Sequence, residues 1–388
     1  MDELLLRAIQ DKIRSILPEI TTLRRQIHQE PEIGLATQAT RQKIRAALQE
    51  TSLVIQPPLL EADLIADLPK PGAKMICLRA DTDGLPIQEA TGLAYRSRVP
   101  GAMHACGHDG HTAILVGTAR VLDAFRSELP VAVRFIFQPG EEMICGGKTL
   151  VRRGACAGAA AAYALHNWPG LPVGHIAARS GPLFSAGAMF SITLTGRGCH
   201  GAMPEQGLNP LPVAAALITR FQELHQRLHP VDGSILSVCS IHGGESKNII
   251  PDSAVIRGTT RFLSTAAGDR IEAEMRRIIA AIATESGTTA EMEYEKEYSL
   301  PVLNTETGFE RIRATVQRYL AEEAWQPLEK PNMTCEDFAF YLEGREGAMF
   351  LLGNGTGSPG LHNAEFDFDD RSLETGILVM SLLALNHS

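Results

Sequence analysis

Apolar side chains recur through the first 28 residues at steps of three and four: Leu5, Ile9, Ile13, Ile16, Ile20, Leu23 and Ile27. That spacing follows the turn of an α-helix and predicts one with a single buried stripe, interrupted at Pro18, where the ladder loses an N–H donor. A second helix is expected after Thr37, a candidate cap ahead of QATRQKIRAALQE. The pattern then changes. KMICL (74–78), VAVRFIF (131–137), AAAYAL (160–165) and AMFLLG (348–353) are continuous apolar runs, separated by helical segments such as HTAILVGTARVLDAFR. Runs so short and so uniformly apolar read as strands buried on both faces, which predicts an α/β architecture.

Between about 185 and 297 the pattern differs again. AMFSITLTGRG and SILSVCSIHGG alternate, LPVAAALITRFQELHQRL between them reads as helix, and VIRGTTRFL is followed by helical DRIEAEMRRIIAAIATESG. Strands and two helices in that order make a small α+β unit. The strand-then-polar pattern resumes afterwards, so this unit is expected to be inserted into the first. The expected division is 1–184 and 298–388 for the enclosing domain and 185–297 for the insertion.

Three of the apolar runs end where chemistry-bearing residues begin: Asp81 and Asp83 after the first, Glu141 and Glu142 after the second, His166 after the third. Open α/β sheets bind ligands at the carboxyl ends of their strands, so one convergent site is expected.

Composition narrows the possible partners. A chain of 388 residues with net charge −9 and a pI near 5.8 lacks the concentrated positive charge that a nucleic acid or an anionic membrane requires. No apolar run reaches the roughly 18 residues needed to span a bilayer, and the N-terminal MDELLLRAIQ puts acids where a signal peptide carries cations. A cytoplasmic protein is expected. Seven cysteines without a framework spacing are expected to be reduced thiols, most of them packing residues.

The segment MHACGHDGH, Met103 to His111, has little to pack and much to coordinate. Cys106 and His108, separated by one glycine, can turn a thiolate and an imidazole toward one point, a pair suited to a borderline transition metal. Taken alone, a Cys-x-His pair also fits a buried thiol beside capping histidines. His104, Asp109 and His111 are candidates for orienting the ligands through hydrogen bonds. In QPGEE, Glu141 and Glu142 repel each other unless solvent or a cation intervenes. A metal would let one carboxylate coordinate while the other takes a proton from water. His166 in LHNW and His362 in GLHNAEFDFDD are single histidines at loop positions, and either could be structural.

The motifs RADTDGLP, MHACGHDGHTA, PGEE, LHNWPGLPVG, NIIPDSAVIRGTTR, EDFAFY and LHNAEFDF stand in one order from end to end of the chain. In this it resembles the aminoacylase and hippurate-hydrolase branch of the dinuclear metallopeptidases, which includes the auxin-conjugate amidohydrolases. The resemblance implies a catalytic domain with a mostly parallel mixed sheet flanked by helices, and an inserted α+β lid that forms a homodimer. It implies that Cys106, His108, Glu142, His166 and His362 hold two divalent metal ions, manganese, zinc, cobalt or nickel, and that Glu141 is the general base. Asp81 or Asp83 would orient a ligand histidine or hold the strand end. His200 of GRGCHGAMPEQGLNP would reach the substrate carbonyl oxygen, often from the partner subunit, and Asn248 and Arg261 would grip the substrate α-carboxylate. Two positions depart from the branch: Glu205 where a histidine is usual, and Thr334-Cys335 where Gly-Ser is usual.

The function implied is hydrolysis of an N-acyl-L-amino acid to a carboxylic acid and a free amino acid, with lid closure expelling water. Three alternatives stay open: a dipeptidase or carboxypeptidase of the same superfamily, a thiol hydrolase with Cys106 as nucleophile, and a ligand-binding protein that has lost turnover.

Overall fold

The computed structural model describes residues 1–387. Its first helix, α1 (Glu3–Gln29), buries Ile9, Ile13, Ile16, Ile20, Leu23 and Ile27, as the stripe predicts. The interruption expected at Pro18 does not occur: the helix runs through it. The proline removes only the donor to the carbonyl of Arg14, an exposed residue where water can replace it, and the apolar stripe keeps its phase on both sides. Thr37 does precede the second helix but makes no capping hydrogen bond. The carboxylate of Glu32 serves instead, accepting the N–H groups of Ala39 and Thr40 at 3.0 and 2.7 Å.

The chain forms two compact units. One comprises Met1–Leu183, Leu303–Lys330 and Asp337 onward; the other comprises Phe184–Val302 and Pro331–Glu336. In the first, the four apolar runs become β1 (Met75–Asp81), β2 (Ala132–Gln138), β3 (Ala159–Trp168) and β4 (Glu346–Gly353). They are the middle of an eight-stranded sheet in the order 54–55, 64–68, β2, β1, β3, β4, 176–178, 325–327. The pairs β2·β1, β1·β3 and β3·β4 are parallel, and the added strand 64–68 pairs antiparallel to β2. The sheet is thus mixed and mostly parallel, and helices cover its strands, which explains why the central runs carry almost no outward polar alternation.

Two helices complete this core. His108–Ala124, here α2, and Ser372–Leu385, here α3, are each buried along nearly their whole length. They approach so closely that a Cβ on Gly117 would lie 2.5 Å from Cδ1 of Ile377.

The second unit is a four-stranded antiparallel sheet in the order 235–242, 253–262, 186–195, 289–295. The helices Pro210–Asp232 and Thr265–Ser286 share one core with it, built on Phe190, Ile192, Leu217, Phe221, Ile256 and Ile271. A separate two-stranded ribbon joins Cys199–His200 to Ile249–Ile250. No described helix of either unit is long and apolar enough to cross a membrane.

Candidate metal centre

The site of the first unit is assembled at strand ends. β1 stops at Asp81, and the chain continues through Thr82 to Asp83. β2 stops at Gln138; Gly140, at φ 75°, turns the chain so that Glu141 and Glu142 open a short helix. The first N–H groups of a helix have no partner within it, and here Asp83 supplies one, accepting Glu141 N at 3.0 Å and Glu142 N at 3.2 Å. Gly107, at φ 85°, makes the turn between Cys106 and His108, and α2 starts there. β3 carries His166 near its carboxyl end. His362 adopts φ 62°, unusual for a residue with a side chain. Its N–H is tied to the carbonyl of Ala105 at 2.8 Å, which fixes it beside the Cys106 loop.

The side chains converge. Cys106 Sγ lies 3.4 Å from His166 Nε2. His362 Nε2 lies 3.3 Å from Glu142 Oε2, and His108 Nε2 lies 3.7 Å from Glu142 Oε1. Ligand-type atoms of Cys106, His108 and His166 fall within 4.8 Å of one another, as do those of Cys106, Glu142 and His362, and those of His108, Glu141 and Glu142. Cys106 therefore belongs to two such groups. His166 donates its Nδ1–H to the carbonyl of Asn167 at 2.7 Å, which leaves the Nε2 lone pair facing Cys106.

The electrostatics describe a pocket short of positive charge. Burial disfavours the charged form of His108, yet Asp81, Asp83 and Glu142 outweigh it and push its pKa up to about 10. Burial lifts the Cys106 thiol well above its ordinary range, and the charges of Glu142 and Glu141 lift it further. Burial and His111 hold His166 down to about 3, so its ring is neutral. His362 is raised by its hydrogen bond to Glu142. Burial raises the Asp83 carboxyl, whereas Asp81, although buried, is held well below the usual carboxylate range by His108, Arg79 and His111.

A thiol, three imidazoles and a carboxylate are the donors that borderline divalent metals take. Both ring nitrogens of His108 and Oε1 of Glu142 are buried without a hydrogen bond, an arrangement that is costly unless something coordinates them. The residues fit a metal centre, and a cation would supply the missing charge and convert Cys106 to its thiolate.

Among the candidate orienting residues, Asp83 faces His108 Nδ1 at 3.5 Å and Asp81 faces His111 Nδ1 at 2.6 Å. Asp109 is instead paired with Arg24 at 2.8 Å and His28 at 2.7 Å. His104 is buried, and neither of its ring nitrogens makes a hydrogen bond. His200, Asn248 and Arg261 belong to the second unit. The ribbon brings His200 beside Asn248, whose carbonyl accepts the N–H of Gly201 at 2.7 Å, and both side chains are exposed. Arg261, on the strand 253–262, donates to its own strand at Thr259 Oγ1 and at Thr260 O, the latter at 2.9 Å. A Cβ on Gly187 would lie 2.9 Å from both Arg261 Nη1 and Cys335 Sγ.

Several buried polar residues of the first unit went unread in the sequence. Arg79 pairs with Asp81 and Asp337, each at 2.7 Å, and Gln138 binds both Arg79 and Asp337. Arg24 and His28 flank Asp109, and Asn167 contacts His111. The one local signal was Arg79, a charge inside an otherwise apolar run. Arg24 and His28 look like the polar margin of an amphipathic helix.

Comparison with known proteins gives matches along most of the chain. Residues 77–386 match the model of peptidase family M20/M25/M40. N-acetylcysteine deacetylase of Bacillus subtilis is 33% identical, covering 94% of this chain and 96% of that protein. Thermostable carboxypeptidase 1 of Saccharolobus solfataricus is 31% identical, covering 99% of each chain. The crystal structure of a dinuclear metal binding peptidase of the M20 family from Bacillus subtilis superposes with a TM-score of 0.84 at 32% identity, covering 96% of this chain and 98% of that one. A donor cluster of this composition on this fold, with matches along nearly its whole length, establishes that the chain belongs to peptidase family M20/M25/M40, a family of metal-dependent hydrolases of amide bonds.

Proposed function

We propose that the chain hydrolyses the amide bond of N-acyl-L-amino acids, releasing a carboxylic acid and a free amino acid. The observation that carries this reading is the sharing of Cys106 between two ligand-type groups, one with His108 and His166 and one with Glu142 and His362. Two divalent ions held by these five residues, manganese, zinc, cobalt or nickel, would acidify water and act as Lewis acids toward the amide carbonyl.

The chain's own residues do the rest. Glu141 takes a proton from the attacking water and returns it to the leaving nitrogen, and Asp83 fixes the helix start that presents it. His166 offers a neutral nitrogen because Asn167 holds its proton on the other side. His200 donates to the oxygen on which negative charge develops. Asn248 and Arg261 bind the substrate α-carboxylate, a task that suits the planar fork of a guanidinium. The segment 185–297 acts as a lid and as the interface of a cytoplasmic homodimer, and 1–184 with 298–388 is the catalytic domain.

A second reading is favoured by the carboxypeptidase relative. An acylated amino acid and a peptide with a free C-terminus present the same group to the site, an amide nitrogen one carbon from a carboxylate. The two differ only on the acyl side. Turnover of acetyl- and benzoyl-amino acids, compared with that of dipeptides and N-blocked peptides, separates them. Glu141→Gln is expected to keep the metal and lose turnover, and unchanged turnover would remove Glu141 from the role of base. Full activity in a metal chelator would replace the metal reading with a thiol hydrolase. The high thiol pKa of Cys106 argues against that chemistry, which needs a thiolate.

A further inference from the structure

We infer that Asn167 is a positioning residue, which holds the turn Cys106-Gly107-His108 in place against His166; the inference rests on the proposed metal role of those residues. Asn167 is fully buried. Its carbonyl accepts the Nδ1–H of His166 at 2.7 Å, its N–H donates to Nε2 of His111 at 2.9 Å, and its Oδ1 lies 2.6 Å from that same ring nitrogen.

These contacts fix where the protons are. A nitrogen that accepts a backbone N–H carries a lone pair, so His111 holds its proton on Nδ1 and gives it to Asp81 Oδ1, 2.6 Å away. Only the NH2 end of the Asn167 amide can then face Nε2 favourably. Rotating the amide end for end places it there. His111 is thus braced between Asp81 and Asn167.

The second contact is steric. Gly107, at φ 85°, stands between two of the proposed ligands, and a Cβ there would lie 2.1 Å from the amide atom of Asn167 that faces His111 and 2.7 Å from its Cγ. The asparagine side chain therefore lies directly against the turn. The same turn is tied to α2, because the Gly107 carbonyl accepts the N–H of His111 at 3.0 Å. One residue thus links the strand that carries His166 with the loop that carries Cys106 and His108. Its side chain controls their separation while its backbone sets the His166 tautomer.

Cobalt(II) is the probe, because thiolate-to-cobalt charge-transfer absorption reports Cys106 and the visible bands report coordination geometry. Wild type, Asn167→Ala, Asn167→Asp and Cys106→Ser are titrated with cobalt(II), and melting of each apoprotein is followed alongside. Asn167→Ala is expected to weaken cobalt binding about 10- to 100-fold, to alter the charge-transfer band, and to lower kcat on an acetyl-amino acid more than it raises KM. Asn167→Asp, of the same size but unable to donate to His111, should move in the same direction, and it carries the test if the alanine variant does not fold. Wild-type cobalt affinity and bands in these variants overturn the inference, as does a loss confined to melting temperature. If Cys106→Ser abolishes the band while the Asn167 variants keep it, only the role of Asn167 falls. If wild type takes up no cobalt, or Cys106→Ser leaves the band untouched, the metal reading falls and takes this inference with it.

Discussion

Asp83 Oδ1 accepts the backbone N–H of Glu141 at 3.0 Å, while its second oxygen does the same for Glu142 at 3.2 Å. One carboxylate thus anchors the start of a helix that presents the proposed base and a proposed ligand together. Asp83→Ala would take the acceptor from the N–H groups of Glu141 and Glu142 and free His108 of its nearest oxygen, 3.5 Å away. We expect metal affinity, read by competition with a chromophoric chelator, to fall about 10- to 100-fold. Wild-type affinity in this variant would show that the turn holds itself.

His28 sits between Asp109 at 2.7 Å and Glu89 at 3.3 Å. Burial works to lower its pKa, but the charge of Asp109 and the hydrogen bonds to Asp109 and Glu89 prevail and hold it up at about 9. The protonated ring is thus favoured by folding. Its contribution is complete below about pH 6.5, the ordinary histidine value, and drains away as pH rises through about 9. At about 1.4 kcal/mol per pH unit the ceiling is about 3 kcal/mol. Urea midpoints of wild type should fall across that window, and those of His28→Gln should fall less steeply. Parallel profiles would contradict the assignment.

What the sequence made legible depended on whether a signal was local. The four apolar runs announce central strands because burial on both faces leaves no room for alternation, and the ligand candidates cluster in short motifs at strand ends. Arg24 and His28 were not legible. Each follows a stripe residue, Leu23 or Ile27, by one position, the usual place of a half-exposed polar side chain; Asp109, Asp367 and Asp370 meet Arg24 there only because distant segments close over it. Asp337 was hidden in the same way, since its partners Arg79 and Gln138 lie on strands far from it in sequence. Pro18 misled in the opposite sense. A local rule predicted a break that the continuous burial of α1 overrides.

Arg261 tests the substrate side. If its guanidinium pairs with the α-carboxylate, Arg261→Lys keeps the charge but loses the paired geometry. For an acetyl-amino acid we expect KM to rise about tenfold or more, equivalent to at least about 1.4 kcal/mol, with a smaller change in kcat. For the corresponding carboxamide, which lacks that charge, little should change. An equal loss on both substrates would place Arg261 in the structure of the strand and not on the carboxylate.

Arg79 is buried between Asp81 and Asp337, at 2.7 Å from each, and is bonded to Gln138 at 2.9 Å. The guanidinium contacts Asp337 directly, whereas Asp81 also faces His108 and His111. Burial already raises the Asp337 carboxyl, and Arg79 opposes that rise. Arg79→Met preserves much of the volume and removes the charge, so the two carboxylates respond differently. Asp81 keeps its histidines and stays ionised; Asp337 is left buried, held by Gln138 and the N–H of Gly147 alone among these partners. Breaking a buried pair from one side costs about 3–5 kcal/mol, and chemical denaturation at neutral pH should show a loss of that order. Because Asp337 in the variant is more easily protonated when folded than when unfolded, part of the loss should return as pH falls below the folded pKa. Asp337→Asn in the same background should recover stability at neutral pH without acid. A loss below about 1 kcal/mol, or a double variant no more stable than Arg79→Met, would mean that Asp337 is not the group that Arg79 neutralises.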